Sequence, residues 1–459
     1  MNTGRAPLVL LLTAAPWLPS TAARLQAQTS LTLERALELA REGNPAYRSA
    51  LNNLDLAVPE TRQAWGAFLP SLNLSAGTSG GFTRQLVGTD DFGNPIPNPN
   101  AQTRYNSGSN QGLGLSVPLF EGGRRFHELG QARAAGEARR WTARAELLRV
   151  EASVERDFYT AQRQQELLAI EQALLDEVRR DLEATERLFA LAGKSRSDVL
   201  GAELAVRRQD VQVRAAAGER DKALLGLQAA IGVPTQRVEA VDPTAVVLFD
   251  PSTVDVEGLV GQAVENHATV RSAAADEQAS AAATSAARAR RWPSLTLDGS
   301  LGRGTFAQDG EALFDLSPND RSNGNLQLSL SIPVFRQFQT SYQIAQADVG
   351  LRNAQETTRL RRLEVERDVR SAWIDLMSAS DQVEATRAAQ DVAEERLRLV
   401  REEYRLAVKS FEELQSAVRE DAQARRDALG ARYDFVQARI AFEEAAGVRM
   451  DDLLSAQSR

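Results

Sequence analysis

The sequence predicts a mainly α protein that also carries strands for a β-barrel, assembled from one structural unit written twice. Three observations carry that expectation. The chain repeats itself: at an offset of 223, Arg48-Ser49-Ala50 lies on Arg271-Ser272-Ala273 and Pro70-Ser71-Leu72 on Pro293-Ser294-Leu295. At an offset of 215, Pro118 lies on Pro333, Lys194-Ser195 on Lys409-Ser410 and Gly232-Val233 on Gly447-Val448. A register constant over more than a hundred residues, broken in one Gly/Asn/Pro-rich loop, marks a duplicated unit. The second observation is period-two alternation in two segments of each copy. The third is a pair of long stretches without proline, after Pro118 and after Pro333, that carry heptad seams.

In chain order, residues 1–27 read as a secretory signal, with Arg5 at its start, an apolar run from Leu8 to Ala15 and small residues up to cleavage after Ala23 or Ala27. The first repeat, 28–232, is expected to hold helices 31–43 and 46–66, strands at about 68–80 and 111–120, then helices 122–192 and 198–231. A linker, 233–257, contains Pro234, Pro243 and Pro251. The second repeat, 258–459, is expected to hold helix 268–290, strands at about 292–302 and 324–335, and helices 336–406 and 412–446.

In the strands, Leu72, Leu74, Leu113, Leu115, Leu295, Leu297, Leu326 and Leu328 alternate with Asn73, Ser75, Ser116, Thr296, Gln327 and Ser329. Alternation gives one apolar and one polar face. In a soluble sheet the apolar face is the core; in a membrane barrel it faces lipid. The export signal favours the barrel. Beyond it no run approaches the ~20 apolar residues of a spanning helix, so a membrane crossing falls to the strands.

The clearest seam runs Val365, Val369, Ala372, Leu376, Ala379, Val383, Thr386, then Ala393, Leu397, Val400, Tyr404 and Ala407, with Gln390 as its polar member. Its counterpart runs Leu168, Leu175, Val178, Leu182, Phe189, Ala192. A helix from 122 to 192 is about 105 Å long at 1.5 Å per residue and must pair with others. Helices 46–66 and 198–231, stacked end to end, nearly match it. Four strands cannot close a barrel without leaving backbone groups unpaired in lipid. Two chains give eight strands, three give twelve with room for a lumen. The count of subunits stays open on these grounds.

The combination resembles the TolC-like outer-membrane efflux proteins. The resemblance rests on the two-fold repeat, on the strand ends Val117-Pro118-Leu119-Phe120-Glu121-Gly122-Gly123 and Ile332-Pro333-Val334-Phe335, and on the helix turns. It implies a homotrimer with a twelve-stranded outer-membrane barrel and an α-helical tunnel through the periplasm. It also implies a passive exit duct for tripartite efflux or type I secretion, working with a periplasmic adaptor (membrane fusion protein) and an inner-membrane efflux or ABC transporter. The turns repeat Phe189, Ala192, Ser195, Asp198, Val199 as Tyr404, Ala407, Ser410, Glu413, Leu414, with alanine where the family usually has glycine.

By motif position the resemblance makes Ser197, Asp198, Tyr404, Lys409 and Glu413 a periplasmic gate. It implies a Tyr404–Asp198 hydrogen bond, a Lys409–Asp198 ion pair and an acidic ring at Glu413, with Ser416 where a second acid is often found. It makes Ala192, Gly193, Lys194, Ser195, Ala407, Val408 and Ser410 the adaptor-contact tip. A competing reading of Asp198 is the routine one, a carboxylate that N-caps or charges the first turn of its own helix, 198–231. Gly193 would suit a positive φ better than Val408.

Other readings are narrower. A net charge of -8 with both signs interspersed gives no nucleic-acid surface. With no cysteine, the fold relies on packing. His127 and His267 lack neighbours at metal spacing, and no catalytic, nucleotide or phosphate motif appears, so the expectation is a non-enzyme without cofactor or metal. Loops 80–111 and 302–323 are expected at the cell surface. Trp65 and Trp292 are expected near the membrane boundary or the barrel–helix junction, and Phe82, Tyr105 and Phe306 in the upper aromatic girdle, with scattered surface aromatics as the alternative. The alternatives are a periplasmic adaptor or a non-channel coiled-coil scaffold, neither of which accounts for four strands in two pairs.

Overall fold

The computed structural model describes residues 30–98, 101–191, 193–232, 238–308, 321–406 and 408–450. The signal at 1–27, Pro234, Ala192 and Ala407 lie outside the described residues. Each half runs short helix, middle helix, strand pair, 67-residue helix, 36-residue helix. The first half comprises α1 (Leu33–Gly43), α2 (Pro45–Leu54), α3 (Ala57–Gly66), β1 (Ser71–Arg84), β2 (Val87–Thr89), β3 (Pro95–Pro97), β4 (Thr103–Phe120), α4 (Arg124–Ala190) and α5 (Arg196–Ile231). The second comprises α6 (Val256–Asn266), α7 (Ala268–Ala289), β5 (Ser294–Gln308), β6 (Arg321–Ser331), α8 (Gln339–Arg405) and α9 (Phe411–Ala446).

Several elements differ from expectation, each for a local reason. The single helix expected over 46–66 is two, because Pro59 has no N–H and its ring opposes the carbonyl four residues back. The helix restarts at Ala57, which places Pro59 in a first turn. At the matching position Ala282 lets α7 run unbroken. The second repeat opens with a helix the sequence reading omitted: α6, capped by Asp255 accepting from the Gly258 amide, begins in the last two linker residues and repeats α1 at the 223 offset. The strands of the first pair are longer than expected. Backbone pairing continues from Gly77–Asn110 to Arg84–Thr103, where glycine, serine and asparagine erase the alternation but leave the ladder intact. Much of the stretch 80–111 is therefore sheet, with β2 and β3 forming a small arm above it. Conversely, β6 stops at Ser331, two residues before Pro333.

The sheet has the order β1-β4-β5-β6 and is antiparallel throughout. Its register gathers the polar residues on one face: Asn73 lies opposite Gly114, Ser116 opposite Asp298, and Thr296 opposite Ser329. On that face Ser116 Oγ donates to Asp298 Oδ1 at 2.7 Å. The other face carries exposed Leu72, Leu74, Leu113, Leu301, Leu326, Leu328 and Leu330. A sheet that leaves its leucines uncovered is built for an apolar solvent.

Below the sheet, α4 packs against α2, α3, α5 and α7, and α8 packs against α7 and α9, with α4–α9 contacts joining the halves. The α8 seam is confirmed: Val365, Val369, Ala372, Leu376, Thr386, Leu397 and Tyr404 are buried. In α4, Leu168, Leu175 and Val178 are buried, whereas Phe189, placed in the seam by its spacing, is exposed.

At the sheet–helix junction the two halves solve one turn differently. Gly122 and Gly123 have φ of 62° and 81°; their repeat partners Gln337 and Phe338 adopt 48° and 63°. A Cβ on Gly122 would stand 2.5 Å from Trp292 Cβ, so this turn needs glycine for space as well as for φ. The Trp292 Cβ and Cγ thus meet the junction, while the residue as a whole is largely exposed, as is Trp65.

Candidate functional site

The two turns that end the long helices share one local design. Ser195 and Ser410 each begin a helix, and each is followed three residues later by an acid, the capping-box spacing. In the first turn the Ser195 amide donates to Asp198 Oδ2 at 3.0 Å, and the Asp198 amide to Ser195 Oγ at 3.2 Å. In the second the Ser410 amide donates to Glu413 Oε2 at 3.0 Å, and the Glu413 amide to Ser410 Oγ at 3.2 Å. The Gly193 amide reaches back to Leu188 O at 2.8 Å and the Val408 amide to Glu403 O at 2.9 Å.

The pairing implied for the gate is not formed within this chain. The Asp198 carboxylate is taken by its own capping box. The Tyr404 hydroxyl instead meets Thr185 Oγ1 at 3.0 Å, and Thr185 also donates to Asp181 O at 2.8 Å. Lys409 pairs with Glu413 at 2.8 Å, one helical step away, rather than with Asp198. Competition from nearer partners decides each case. Ser197 stands exposed at the start of α5. The hydrogen bond from Lys409, with those from Ser410, holds the Glu413 carboxyl down at about 2, and Glu413 in turn raises Lys409.

Tyr404 is 2% exposed, although its repeat counterpart Phe189 is 42% exposed. It sits in a tip cluster with Leu175, Val178, Leu397, Leu414, Ala417 and Val418, and its ring lies 6.3 Å from that of Phe411. Gly201 admits that second ring: a Cβ there would stand 2.6 Å from Phe411 Cε1. From the first turn, Lys194 Nζ crosses to donate to Lys409 O at 2.8 Å and lies 4.4 Å from the Tyr404 ring centroid.

Above the turns, a ladder of charged pairs that the sequence reading did not identify joins α4 to α8 and α9. Arg401 bonds Glu177 at 2.9 Å and Asp181 at 3.2 Å; Arg425 bonds Glu177 and Asp421, each at 2.9 Å. Arg426 bonds Glu171 at 2.6 Å, Arg432 pairs with Glu166, and Arg439 bonds Glu155 at 3.1 Å. Burial pushes Glu177 up, yet the hydrogen bonds from Arg401 and Arg425 prevail and leave it below the usual carboxylate range. For Asp181 and Asp421 burial prevails and raises them. The available sequence signal was acids on α4 at roughly helical-turn spacing against arginines on α9. Spacing alone does not say which rung meets which.

No three metal-ligating side chains gather among the described residues. His267 caps α7, with its ring 2.7 Å from Thr269 Oγ1, and burial lowers its pKa. No helix among the described residues is long and apolar enough to cross a membrane.

The comparisons with known proteins agree with this geometry. The chain is 25% identical over 364 residues to protein CyaE of Bordetella pertussis, covering 78% of this chain and 71% of that protein. Among solved structures, CusC matches with a TM-score of 0.74 at 18% identity, covering 91% of this chain and 92% of that one. VceC of Vibrio cholerae matches with a TM-score of 0.73 at 18% identity, covering 91% and 96%. These likenesses establish the shared fold of long helices and membrane strands. The model of the outer membrane efflux protein family matches residues 36–233 and 259–448, one stretch in each repeat, and the chain belongs to that family.

Proposed function

We propose that three copies of this outer-membrane protein close their four-stranded sheets into a twelve-stranded barrel and their helices into a periplasmic tunnel. The assembly acts as a passive exit duct gated at the turns. The observation that carries this is the open sheet: β1 and β6 are its edges, and its leucine face is exposed. Unpaired edges in lipid cost several kcal/mol per backbone group, which closure by sister chains removes. The likeness to CusC, a protein described as forming a transmembrane channel, supports the same reading. A coiled-coil scaffold would leave the leucine face without a purpose.

In this reading the substrate arrives from an inner-membrane transporter through a periplasmic adaptor. The adaptor grips the surface formed by Ala192, Gly193, Lys194, Ser195, Ala407, Val408 and Ser410. Ser197, Asp198, Tyr404, Lys409 and Glu413 then control the opening, with Glu413 from three copies forming an acidic ring. The duct serves drug-like efflux or type I secretion, and no energy is spent in this chain. Purified protein in planar bilayers tests the reading. Discrete conductance steps from a heat-labile trimer are expected; a monomer that leaves the bilayer silent refutes it. A strain lacking the chain should then show altered drug susceptibility or protein export, which assigns the cargo class.

A further inference from the structure

The chain has three lysines, Lys194, Lys222 and Lys409, among its 54 basic side chains, and arginine supplies all the others. Two of the three occupy matched positions, one residue before each capping serine at the tip. Lys409 stays within its own turn, bound to Glu413 at 2.8 Å. Lys194 does something else. Its ammonium crosses between hairpins, donating to the Lys409 carbonyl at 2.8 Å and lying 4.4 Å from the Tyr404 ring centroid. It therefore touches both sides of the α8–α9 turn, the last turn of α8 and the residue before the cap of α9.

The chemistry suits lysine. A compact ammonium with three donors can satisfy a carbonyl and a ring face at once, whereas a planar guanidinium presents a larger, fixed fork. The ring itself is held, since Tyr404 is buried, bonded to Thr185 and packed near Phe411. Parting of the two hairpins would deprive the ammonium of both partners in one movement. We propose that Lys194 is the positioning residue that clamps the second turn onto the first within each protomer and so stabilises the closed tip. This rests on the exit-duct reading and adds to it a determinant of the closed state.

The test compares wild type with Lys194→Met, which keeps an unbranched apolar stem and removes the charge, in planar bilayers. The closed-to-open ratio should fall about tenfold, the factor that about 1.4 kcal/mol represents, with trimer yield unchanged. Lys194→Arg should restore part of it. In a Tyr404→Leu background, Lys194→Met should change the ratio less than it does in wild type, because the ring contact is already gone. A spectroscopic signature separates a clamp from a merely structural lysine. Reductive ¹³C-methylation of so few lysines gives resolvable signals, and that of Lys194 should be displaced by the Tyr404 ring current and return in Tyr404→Leu. A conducting wild type matched by Lys194→Met, or a Lys194 signal coincident with that of Lys222, overturns the proposal alone. A wild type that never conducts overturns the duct reading with it.

Discussion

Tyr404 and Thr185 share a hydrogen bond of 3.0 Å across the two long helices, in a site where both side chains are buried. The bond fixes the axial stagger of α8 against α4 just above the turns. Tyr404→Phe removes the hydroxyl and leaves Thr185 with its bond to the Asp181 carbonyl. The expected cost is about 1 kcal/mol, the usual net value of one intramolecular hydrogen bond. Tyr404→Ala also empties a packed site and should cost roughly 3–5 kcal/mol. Thermal unfolding of the detergent-solubilised protein should rank wild type, Phe and Ala in that order. Equal midpoints for wild type and Ala would show that the tip cluster contributes nothing to stability.

The Glu177 carboxylate serves two guanidiniums, from Arg401 and Arg425, in a half-buried setting. Glu177→Ala leaves two cations facing each other with less compensation, and should destabilise by about 3 kcal/mol. Exposed pairs such as Arg398–Glu395 should cost far less when broken, because solvent screens them. The pH dependence has a defined sign. Glu177 lies below its ordinary value in the fold, so its contribution is present above the unfolded pKa and is lost as pH falls through the lower folded one. Asp181 and Asp421 are raised, so the fold gains stability as pH falls through their folded values. Acid unfolding of Asp421→Asn should therefore show a flatter stability profile above the ordinary carboxylate range than wild type. A superimposable profile would remove Asp421 from the account.

Glu413, proposed as an acid of the gate, is held down at about 2, first by the hydrogen bond from Lys409. A ring of such groups stays ionised well below the pH at which free glutamates protonate, at about 4.3. Cation selectivity, read as the reversal potential across a salt gradient, should hold from neutral pH down to about pH 4. Glu413→Gln should reduce it at every pH in that range. Lys409→Met should leave selectivity at neutral pH intact but bring its loss to higher pH. An unchanged reversal potential in Glu413→Gln would place this carboxylate away from the conduction path.

What could be read from the sequence was what is local. The α8 seam repeats within a few residues, and burial of Val369, Leu376, Leu397 and Tyr404 follows it. The Ser-x-x-acid boxes are likewise contained in four residues. What could not be read was partnership across helices. Asp198 was assigned to Tyr404 by motif, but the choice between Asp198 and Thr185 depends on how far one helix slides along another, which no periodicity encodes. Phe189 and Tyr404 occupy equivalent positions and have opposite exposure, because duplication preserves residues while the environment of each copy differs. The split at Pro59 was legible from the proline itself. Extension of β1 to Arg84 was not, since a ladder of backbone bonds needs no side-chain pattern.

The junction turns give the last prediction, and two effects compete in it. Gln337 and Phe338 hold φ of 48° and 63°, a region that costs a non-glycine residue about 1–2 kcal/mol. Gln337→Gly should relieve that strain and stabilise by about 1 kcal/mol, reduced by the greater freedom of glycine in the unfolded chain. Phe338→Gly relieves the same strain but loses the edge-on contact with Phe335, whose ring centroid lies 5.5 Å away. Such a pair is worth about 0.5–1.5 kcal/mol beyond its buried area, so the second substitution should be close to neutral. In the first repeat the direction reverses. Gly122→Ala meets both the left-handed φ and the Trp292 Cβ at 2.5 Å, where no flexible chain end can yield. It should lower the yield of the proposed trimer, while Gln337→Gly leaves or raises it. Equal yields for the two variants would mean that the matched turns do not share one backbone requirement.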